Sequence, residues 1–380
     1  MLNSTEEIIS FLLTGAVTDL DIPVTMAELA ESYYLDVGNW LGKTGGLDWA
    51  IYPQGSFRLG TVVKPSGPHD EYDIDLVCLW GGAPKDLVPQ VLKETVGSML
   101  DGYMEWKASQ QADGPAECVP SRRCWTLRYP DLGFHMDVLP AAHDTTPPSI
   151  RLTDTTSASW YYSNPIGYAQ WFRGRSEEMT RMLAKEARQA NVADVPAWRV
   201  RSTLQRLVQV LKWHSAAHFA GHLDDRPPSI LITTLAAQAY SGEASLFAAT
   251  LDAVQHMGNL VEQRDGRWYV ANPAEDKENF ADKWNDYPQR QVHFRSWLTE
   301  VTSLLETIAQ MRGQGIHGVV DRLEEGFAAR GLIRKAAGAL GTGTLELREA
   351  GGLAMAGGGL LTKAADQRRV PAHTFYGEPR

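Results

Sequence analysis

Two aspartates stand two positions apart inside an otherwise apolar segment of the chain. Residues 72–80 read Tyr-Asp-Ile-Asp-Leu-Val-Cys-Leu-Trp, in which Asp73 and Asp75 interrupt residues typical of a β-strand. Alternate residues of a strand point to the same face, so both carboxylates are predicted to share one face and Ile74 to point to the other. Two like charges on a half-buried strand are unfavourable unless a cation lies between them. The segment therefore predicts a sheet with an acidic site on one face.

A third aspartate lies on another predicted strand. Asp137 is central to residues 134–139, and a turn over 129–133 joins this strand to one predicted over 123–129. Three carboxylates from two strands can hold two Mg²⁺ ions, for which Mn²⁺ can substitute, and Asp137 is then the candidate general base. The residues alone also allow solvated acids, with Asp137 paired to Arg123 or Arg128.

A Gly-Ser turn precedes the first acidic strand. Residues 52–61 read Tyr-Pro-Gln-Gly-Ser-Phe-Arg-Leu-Gly-Thr, and Gly55 allows the backbone to approach a phosphate while Ser56 offers a hydroxyl and a backbone N–H. The pattern lacks the Gly-Lys-Ser/Thr of a P-loop and the Gly-x-Ser-x-Gly of a hydrolase elbow. A Gly-Ser pair alone usually marks a plain turn, so its position ahead of the acidic strand is what indicates a phosphate site.

The apolar spacing divides the chain into a mixed part and a helical part. We predict an α+β fold with a mixed-sheet lobe over residues 1–160, whose N-terminal helices pack on a helical lobe over 161–315, and a Gly-rich region of uncertain role over 316–380. A cleft between the lobes is the expected ligand site. Helices are predicted over 84–100, 165–190, 199–221, 229–241, 244–263 and 287–312.

Composition limits the partners and the compartment. The chain has 43% hydrophobic and 22% charged residues, which is typical of a globular protein. Its net charge of −10 argues against nucleic acid as the default partner, so a double-stranded nucleic-acid activator is not expected. Three cysteines without paired spacing, no basic leader and no long apolar run predict a cytoplasmic protein with no membrane partner.

The order of these motifs resembles the polymerase-β-like nucleotidyltransferases. Gly55-Ser56, Asp73-x-Asp75 and Asp137 occur in that order, and residues 52–61 look like the bacterial cyclic-oligonucleotide synthases (CD-NTases) related to cyclic GMP-AMP synthase and oligoadenylate synthase. The resemblance covers about residues 1–313 and is strongest over 50–140. It implies a nucleotidyltransferase lobe, in which the three aspartates are catalytic and bind metal, followed by a helical oligoadenylate-synthase-like lobe.

The resemblance also implies nucleotide contacts. Gln54 joins the Gly-Ser turn, and Lys212 and Ser229 match a lysine and a serine that contact the triphosphate. The simpler alternatives are that Lys212 snorkels from a core helix and that Ser229 is a helix N-cap. Asp276, in a segment over 272–281 similar to one near the nucleotide site of oligoadenylate-synthase relatives, is expected to read a base edge, unless that segment is a solvated acidic loop.

Three hypotheses about function follow. The first is that the enzyme joins nucleoside triphosphates, ATP, GTP or related ones, into a cyclic di- or trinucleotide with release of pyrophosphate, in anti-phage signalling and with a protein regulator or effector as a further partner. The second keeps the chemistry but modifies RNA, a protein or a small molecule. The third is a non-catalytic nucleotide-binding module.

Overall fold

The structure is a computed structural model. It describes residues 4–46, 49–64, 71–82, 87–144, 148–155, 159–189, 201–311 and 316–349, with the pairs 354–355, 361–362 and 368–369. In these residues the α+β prediction is confirmed. A seven-stranded sheet is formed by β1 (Trp49–Gln54), β2 (Tyr72–Trp80), β3 (Glu117–Pro120), β4 (Trp125–Tyr129), β5 (Phe134–His143), β6 (Ile150–Asp154) and β7 (Ser159–Ser163). Two helices precede the first strand, α1 (Thr5–Thr18) and α2 (Val24–Gly45), and two lie between strands of the sheet, α3 (Gly55–Leu59) and α4 (Pro89–Ser109).

The strand order places the two predicted acidic strands side by side. The order is β1-β2-β5-β4-β3, with β6 paired to β5 and to β7. β2 and β5 run parallel, and their register sets Asp75 opposite Asp137. β2 has the bounds predicted for it, and the predicted turn between β4 and β5 is a 3₁₀ turn over Pro130–Leu132 that ends at Gly133, with φ +71°.

The two faces of β2 and β5 differ as their alternation predicts. Ile74, Leu76, Met136 and Val138 are buried in a core shared with α2 and α4. Asp73, Asp75 and Asp137 take the intervening positions and point to the other face, towards the cleft. Apolar burial against α2 and α4 therefore fixes the register that exposes the acids to the cleft.

The second half of the described chain is mainly helical. The helices are α5 (Pro165–Gln189), α6 (Thr203–His218), α7 (Ser229–Ala239), α8 (Leu246–His256), α9 (Asp282–Asp286), α10 (Gln289–Gln310), α11 (Ile316–Gly326) and α12 (Leu332–Glu349). Short strands are β8 (Glu262–Arg264), β9 (Arg267–Tyr269), β10 (Ala271–Asn272), β11 (Glu275–Asn279), β12 (Ala354–Met355), β13 (Leu361–Thr362) and β14 (Arg368–Arg369).

The bounds of three predicted helices differ from those in the structure. The helix predicted over 84–100 occupies Pro89–Ser109, because Pro89 is its first residue. The helix predicted over 244–263 is Leu246–His256, because a 3₁₀ turn follows at Met257–Leu260. The helix predicted over 199–221 is Thr203–His218.

The N-terminal helices were both predicted to pack on the helical lobe, and α1 does so whereas α2 does not. Apolar residues of α1, among them Leu12 and Leu13, are buried in the core of the helical lobe, together with α11 and the start of α12. α2 packs instead on the sheet and on α4. Its Trp40 stacks on Trp106 of α4 at 5.2 Å and donates from Nε1 to the Met99 carbonyl of α4 at 2.8 Å. Both helices are amphipathic, so periodicity does not say which core each one joins. We propose lobe boundaries near 160 and 315.

The helical lobe holds the segment that follows the Gly-Ser turn. Four consecutive carbonyl oxygens each accept a hydrogen bond from a side chain of α6 or the residues just before it. The donors are Gln205 to Leu59 (2.9 Å), Arg201 to Gly60, Lys212 to Thr61 (2.9 Å) and Gln209 to Val62 (2.7 Å). The two lobes are thereby joined beside the predicted site.

Across the described ranges, every helix is either too short or too polar to traverse a bilayer.

Candidate active site

The three predicted acids line one cavity of about 1090 Å³ between the lobes. Asp73 is exposed, whereas Asp75 and Asp137 are half-buried. Burial raises the pKa of Asp75 well above its ordinary value, and the charges of Asp73 and Asp137 raise it further. Burial and the charge of Asp73 also raise the pKa of Asp137. Such mutual repulsion between carboxylates is relieved by a cation.

The alternative that Asp137 forms an ion pair with Arg123 or Arg128 is wrong, because both arginines pair with other acids. Arg123 pairs with Asp154 at 3.0 Å and with Asp282 at 3.1 Å, and Arg128 pairs with Glu117 at 3.3 Å. Neither arginine therefore neutralises Asp137.

His135 belongs to the same cluster, although we did not predict it. Its Nε2 lies 3.4 Å from Asp73 Oδ1, and its Nδ1 lies 3.4 Å from Glu71 Oε2. The hydrogen bond to Asp73 raises the pKa of His135, as do the charges of Asp73, Asp137 and Glu71. The signal was in the sequence, because His135 stands two positions before Asp137 on one strand and so shares its face.

The donor set fits a hard divalent cation. One ligand atom each from Asp73, His135 and Asp137 lie within 4.8 Å of one another, and Asp75 adds a second carboxylate on β2. Carboxylate oxygens with room for water and phosphate ligands are the set that Mg²⁺ or Mn²⁺ prefers, and a nearby imidazole favours Mn²⁺ over Mg²⁺ somewhat.

A neighbouring hydroxyl supports Asp137. Thr126 Oγ1 donates to Asp137 Oδ1 at 2.6 Å, and this bond lowers the pKa of Asp137 against the effect of burial. Metal binding needs the ionised carboxylate, so affinity falls as pH falls through that pKa. We expect Thr126→Val to raise the pKa of Asp137 further and to move the loss of Mn²⁺ affinity to higher pH. Mn²⁺ titrations between pH 5 and 8 measure this. Thr126→Ser keeps the hydroxyl and should behave as wild type; superimposable curves for all three proteins would contradict the role of Thr126.

The Gly-Ser turn meets the acids directly. Gly55 opens α3 with φ +64°, and a Cβ there would lie 1.9 Å from Asp75 Oδ2. Only glycine combines this backbone conformation with such close approach to a carboxylate. Ser56 lines the larger cavity, and Gln54 pairs with Asp75 across β1 and β2 and lines an adjoining cavity.

Lys212, on α6 of the helical part, lines the same cavity as the acids. Lys212 is 8% exposed and its Nζ is bonded to the Thr61 carbonyl, so it does not snorkel to solvent. Burial lowers the pKa of Lys212 to about 8, and the nearby charge of Arg226 lowers it as well, while Asp73 and Asp75 oppose the shift. A buried cation held beside a polar cavity is suited to an anionic ligand.

Ser229 is the first residue of α7 and lines the same cavity. The alternative of Ser229 as N-cap is wrong, because Pro228 occupies that position and α7 has no side-chain cap. The start of an 11-residue helix therefore faces the cavity with its backbone N–H groups uncapped by a side chain.

The expectation for Asp276 is corrected. Its side chain is 80% exposed, forms an ion pair with Arg264 at 2.8 Å and lines neither of the two cavities. In β11 the residue that points inward is Glu278, which is buried and accepts from Asn272 at 2.6 Å. The segment 272–281 does reach the smaller of the two cavities, but through Asn272 and residues 278–280 rather than through Asp276.

A smaller cavity of about 350 Å³ adjoins the larger one. The two share Gly55, Asp75 and Ile230, among others. Apolar and aromatic side chains dominate its wall, including Tyr161 and Phe280, and Glu278 and Asn272 are among the polar groups. These walls suit a flat ring with hydrogen-bonding edges.

Comparison with known proteins agrees with this geometry. The family described as cyclic GMP-AMP synthase DncV-like, nucleotidyltransferase domain, matches residues 50–140, which include the Gly-Ser turn and all three aspartates. The chain carries a DncV-like nucleotidyltransferase domain. The resemblance to the CD-NTases and the prediction of a nucleotidyltransferase are thereby confirmed.

Relatives extend over nearly the whole chain. A c-di-GMP synthase of Roseivirga ehrenbergii is 27% identical, over 93% of this chain and 96% of its own. The solved CD-NTase CdnG of Bradyrhizobium diazoefficiens, in complex with GTP, has a TM-score of 0.67 at 20% identity and covers 89% of this chain and 99% of its own. An Escherichia coli CdnC, solved with HORMA-deltaN, has a TM-score of 0.57 at 14% identity, over 85% of this chain and 98% of its own. These two solved structures share the fold of this chain.

Proposed function

We propose that this protein condenses nucleoside triphosphates, with GTP foremost, into a cyclic dinucleotide and releases pyrophosphate. The observation that carries the proposal is the convergence on one cavity of Asp73, Asp75 and Asp137, the Gly-Ser turn, Lys212 and Ser229. The name of the c-di-GMP synthase relative and the GTP in the CdnG structure support guanine nucleotides. ATP remains a substrate to test, as does a trinucleotide product.

The residues divide the reaction between them. A ribose hydroxyl attacks the α-phosphorus of a second nucleotide, a P–O bond forms, and the bond to the pyrophosphate oxygen breaks. Asp137 is the acceptor for the hydroxyl proton, with Thr126 keeping it ionised. Mg²⁺ held by the three aspartates, as two ions in our proposal, would supply charge neutralisation at the phosphates and acidify the hydroxyl. Lys212 and the start of α7 offset the charge of the triphosphate.

The smaller cavity is proposed to hold a nucleobase. It opens into the larger cavity at Asp75, so a base seated there leaves its α-phosphate near the acids. Tyr161 is held in place, because its hydroxyl donates to the Asn279 carbonyl at 3.1 Å and the Arg123 guanidinium lies 3.5 Å from the ring centre. A rigid aromatic wall favours stacking of a purine.

The ionisation of Lys212 makes nucleotide binding dependent on pH. Its pKa of about 8 means that the ammonium is lost as pH rises through 8 in the free protein, and the triphosphate then loses its partner. We expect the Kd for GTP to rise above pH 8, by no more than about tenfold per pH unit. Titrations from pH 7 to 9.5 measure the slope. Lys212→Arg retains its charge over that range and should give a flatter curve; equal slopes would contradict the assignment.

The reaction itself is tested with α-³²P-labelled nucleotides and the purified chain. We expect label in a small phosphatase-resistant product that requires Mg²⁺ or Mn²⁺ and disappears with EDTA. Label on RNA, on protein or on an added small acceptor would instead support the second hypothesis. Metal-independent nucleotide binding without any transfer would support a non-catalytic module.

The proposed context is anti-phage signalling in the cytoplasm. The E. coli CdnC was solved with HORMA-deltaN, and this supports testing a protein regulator here as well. Activity measured with and without lysate from infected cells would show whether a partner is needed.

A further inference from the structure

The wall of the larger cavity carries an imidazole beside the three aspartates. The parallel register of β2 and β5 pairs Asp73 directly with His135, as it pairs Asp75 with Asp137. All four side chains line the cavity. The proposed reaction uses the three carboxylates and gives the imidazole no task. The two strands therefore present four potential metal ligands, of which one is a nitrogen.

The ring of His135 is oriented by a further carboxylate. Its Nδ1 lies 3.4 Å from Glu71 Oε2, and its Nε2 lies 3.4 Å from Asp73 Oδ1. Glu71 lines the same cavity and stands two positions before Asp73. A metal-ligating histidine commonly donates its other ring N–H to a carboxylate, which fixes the tautomer and leaves one nitrogen for the ion. Glu71 and His135 have this arrangement, with Nε2 turned towards the aspartates.

The atoms around Nε2 are close enough to share an ion. One ligand atom each from Asp73, His135 and Asp137 lie within 4.8 Å of one another. Ligand atoms of one octahedral dication lie about 3 to 4 Å apart when each bond is about 2.1 Å long, so small side-chain movements complete the set. The side chain of His135 is 27% exposed, so a hydrated ion in the cavity can reach it.

We infer that His135 is a nitrogen ligand of the metal site, oriented by Glu71, and that it makes the site prefer Mn²⁺ to Mg²⁺. The inference rests on the proposed function for the part that the ion takes in nucleotidyl transfer, whereas coordination by His135 can be measured without any reaction. Mg²⁺ takes oxygen ligands and keeps its waters, and affinity for nitrogen increases along the transition metals from Mn²⁺ onwards. The imidazole thereby sets which dication the chain binds when both are present.

The test is pulsed electron paramagnetic resonance of Mn²⁺ bound to the full chain, with and without a non-hydrolysable GTP analogue. An imidazole ligand gives the Mn²⁺ echo a ¹⁴N modulation that changes when histidine is labelled with ¹⁵N. We expect this histidine modulation in wild type and its loss in His135→Gln, which keeps a side-chain N–H for Asp73 but has no imidazole. His143→Gln is the matched control and should keep the modulation, because His143 is the exposed last residue of the same strand and lines neither cavity.

The metal preference is measured from the signal of free Mn²⁺ during titration with Mn²⁺ and competition with Mg²⁺. We expect His135→Gln to lower the ratio of the Mg²⁺ Kd to the Mn²⁺ Kd about tenfold or more, chiefly by weakening Mn²⁺ binding. Glu71→Gln should weaken Mn²⁺ binding about tenfold and keep the histidine modulation, because Glu71 orients the ligand without being one.

The outcomes separate this inference from the proposed function. Bound Mn²⁺ without histidine modulation in wild type would overturn the inference, even if cyclic products form. Equal losses of Mn²⁺ and Mg²⁺ affinity in His135→Gln would overturn it as well, since a simple ion pair between His135 and Asp73 predicts that result. Modulation lost in His135→Gln and kept in His143→Gln would support the inference even if the wild type makes no cyclic product. A wild type that binds no Mn²⁺ in either state would overturn it together with the proposed metal site.

Discussion

Asp75→Asn is expected to abolish nucleotidyl transfer and yet to stabilise the metal-free protein. The raised pKa of Asp75 means that its ionised form is unfavourable in the fold, because of burial and of the charges of Asp73 and Asp137. Such a carboxylate makes the wild type more stable as pH falls through its raised folded-state pKa towards its unfolded-state pKa. We expect the variant to lack that dependence, to melt a few degrees higher at pH 7.5, and to lose activity by about a thousandfold.

Metal should reverse the order of stabilities. If the complete carboxylate set holds Mg²⁺ as proposed, the ion should raise the Tm of the wild type, whereas Asp75→Asn should respond weakly. Asp131→Asn removes the same charge from an exposed turn away from the cavity and should change neither activity nor the response to metal. Full activity in Asp75→Asn, or a lower Tm than wild type without metal, would refute the assignment.

Gly55→Ala is expected to be the most damaging single-methyl change at the site. Its Cβ would lie 1.9 Å from Asp75 Oδ2 and 2.9 Å from Asp75 Cγ, and φ at Gly55 is +64°. Asp75 must move, and a displacement of about 1 Å at a reacting centre costs on the order of 100-fold in rate. Overpacking and the left-handed conformation should together cost about 2–4 kcal/mol of unfolding free energy.

Gly133→Ala separates the clash from the backbone strain. Gly133 has φ +71°, nearly the value at Gly55, but nothing lies within 4 Å of a Cβ there. We expect this control to lose only about 1–2 kcal/mol and to retain its activity. Assays of kcat with GTP and of denaturant midpoints compare the two. Similar losses of activity in both variants would mean that the contact with Asp75 is unimportant.

The acidic half of the site could be predicted because it follows from strand alternation. Asp73 and Asp75 lie on one face of β2 since Ile74 and Leu76 are buried on the other, and Asp137 joins them because β5 is the neighbouring strand. Successive side chains of a strand alternate between its two faces, so the face of each residue can be predicted without long-range information. The same rule would have added His135, had it been applied to every polar residue of β5.

The basic residues of the site could not be predicted from local patterns: some were inferred from the family resemblance and others were not predicted. Lys212 and Ser229 came from family likeness, and Arg330 reaches the cavity only because α11 and α12 pack into the helical core. No local spacing relates Arg226 to Arg330. Asp276 was misjudged because the sequence of a short hairpin rich in charged residues does not reveal which of its acids is buried, and the buried acid there is Glu278.

The most direct test is the mass of the phosphatase-resistant product made from mixed nucleoside triphosphates by wild type and by Asp73→Ala/Asp75→Ala. Our account predicts a cyclic dinucleotide containing guanine from wild type and nothing from the variant. A linear or macromolecular product, or the same cyclic product from both proteins, would contradict it.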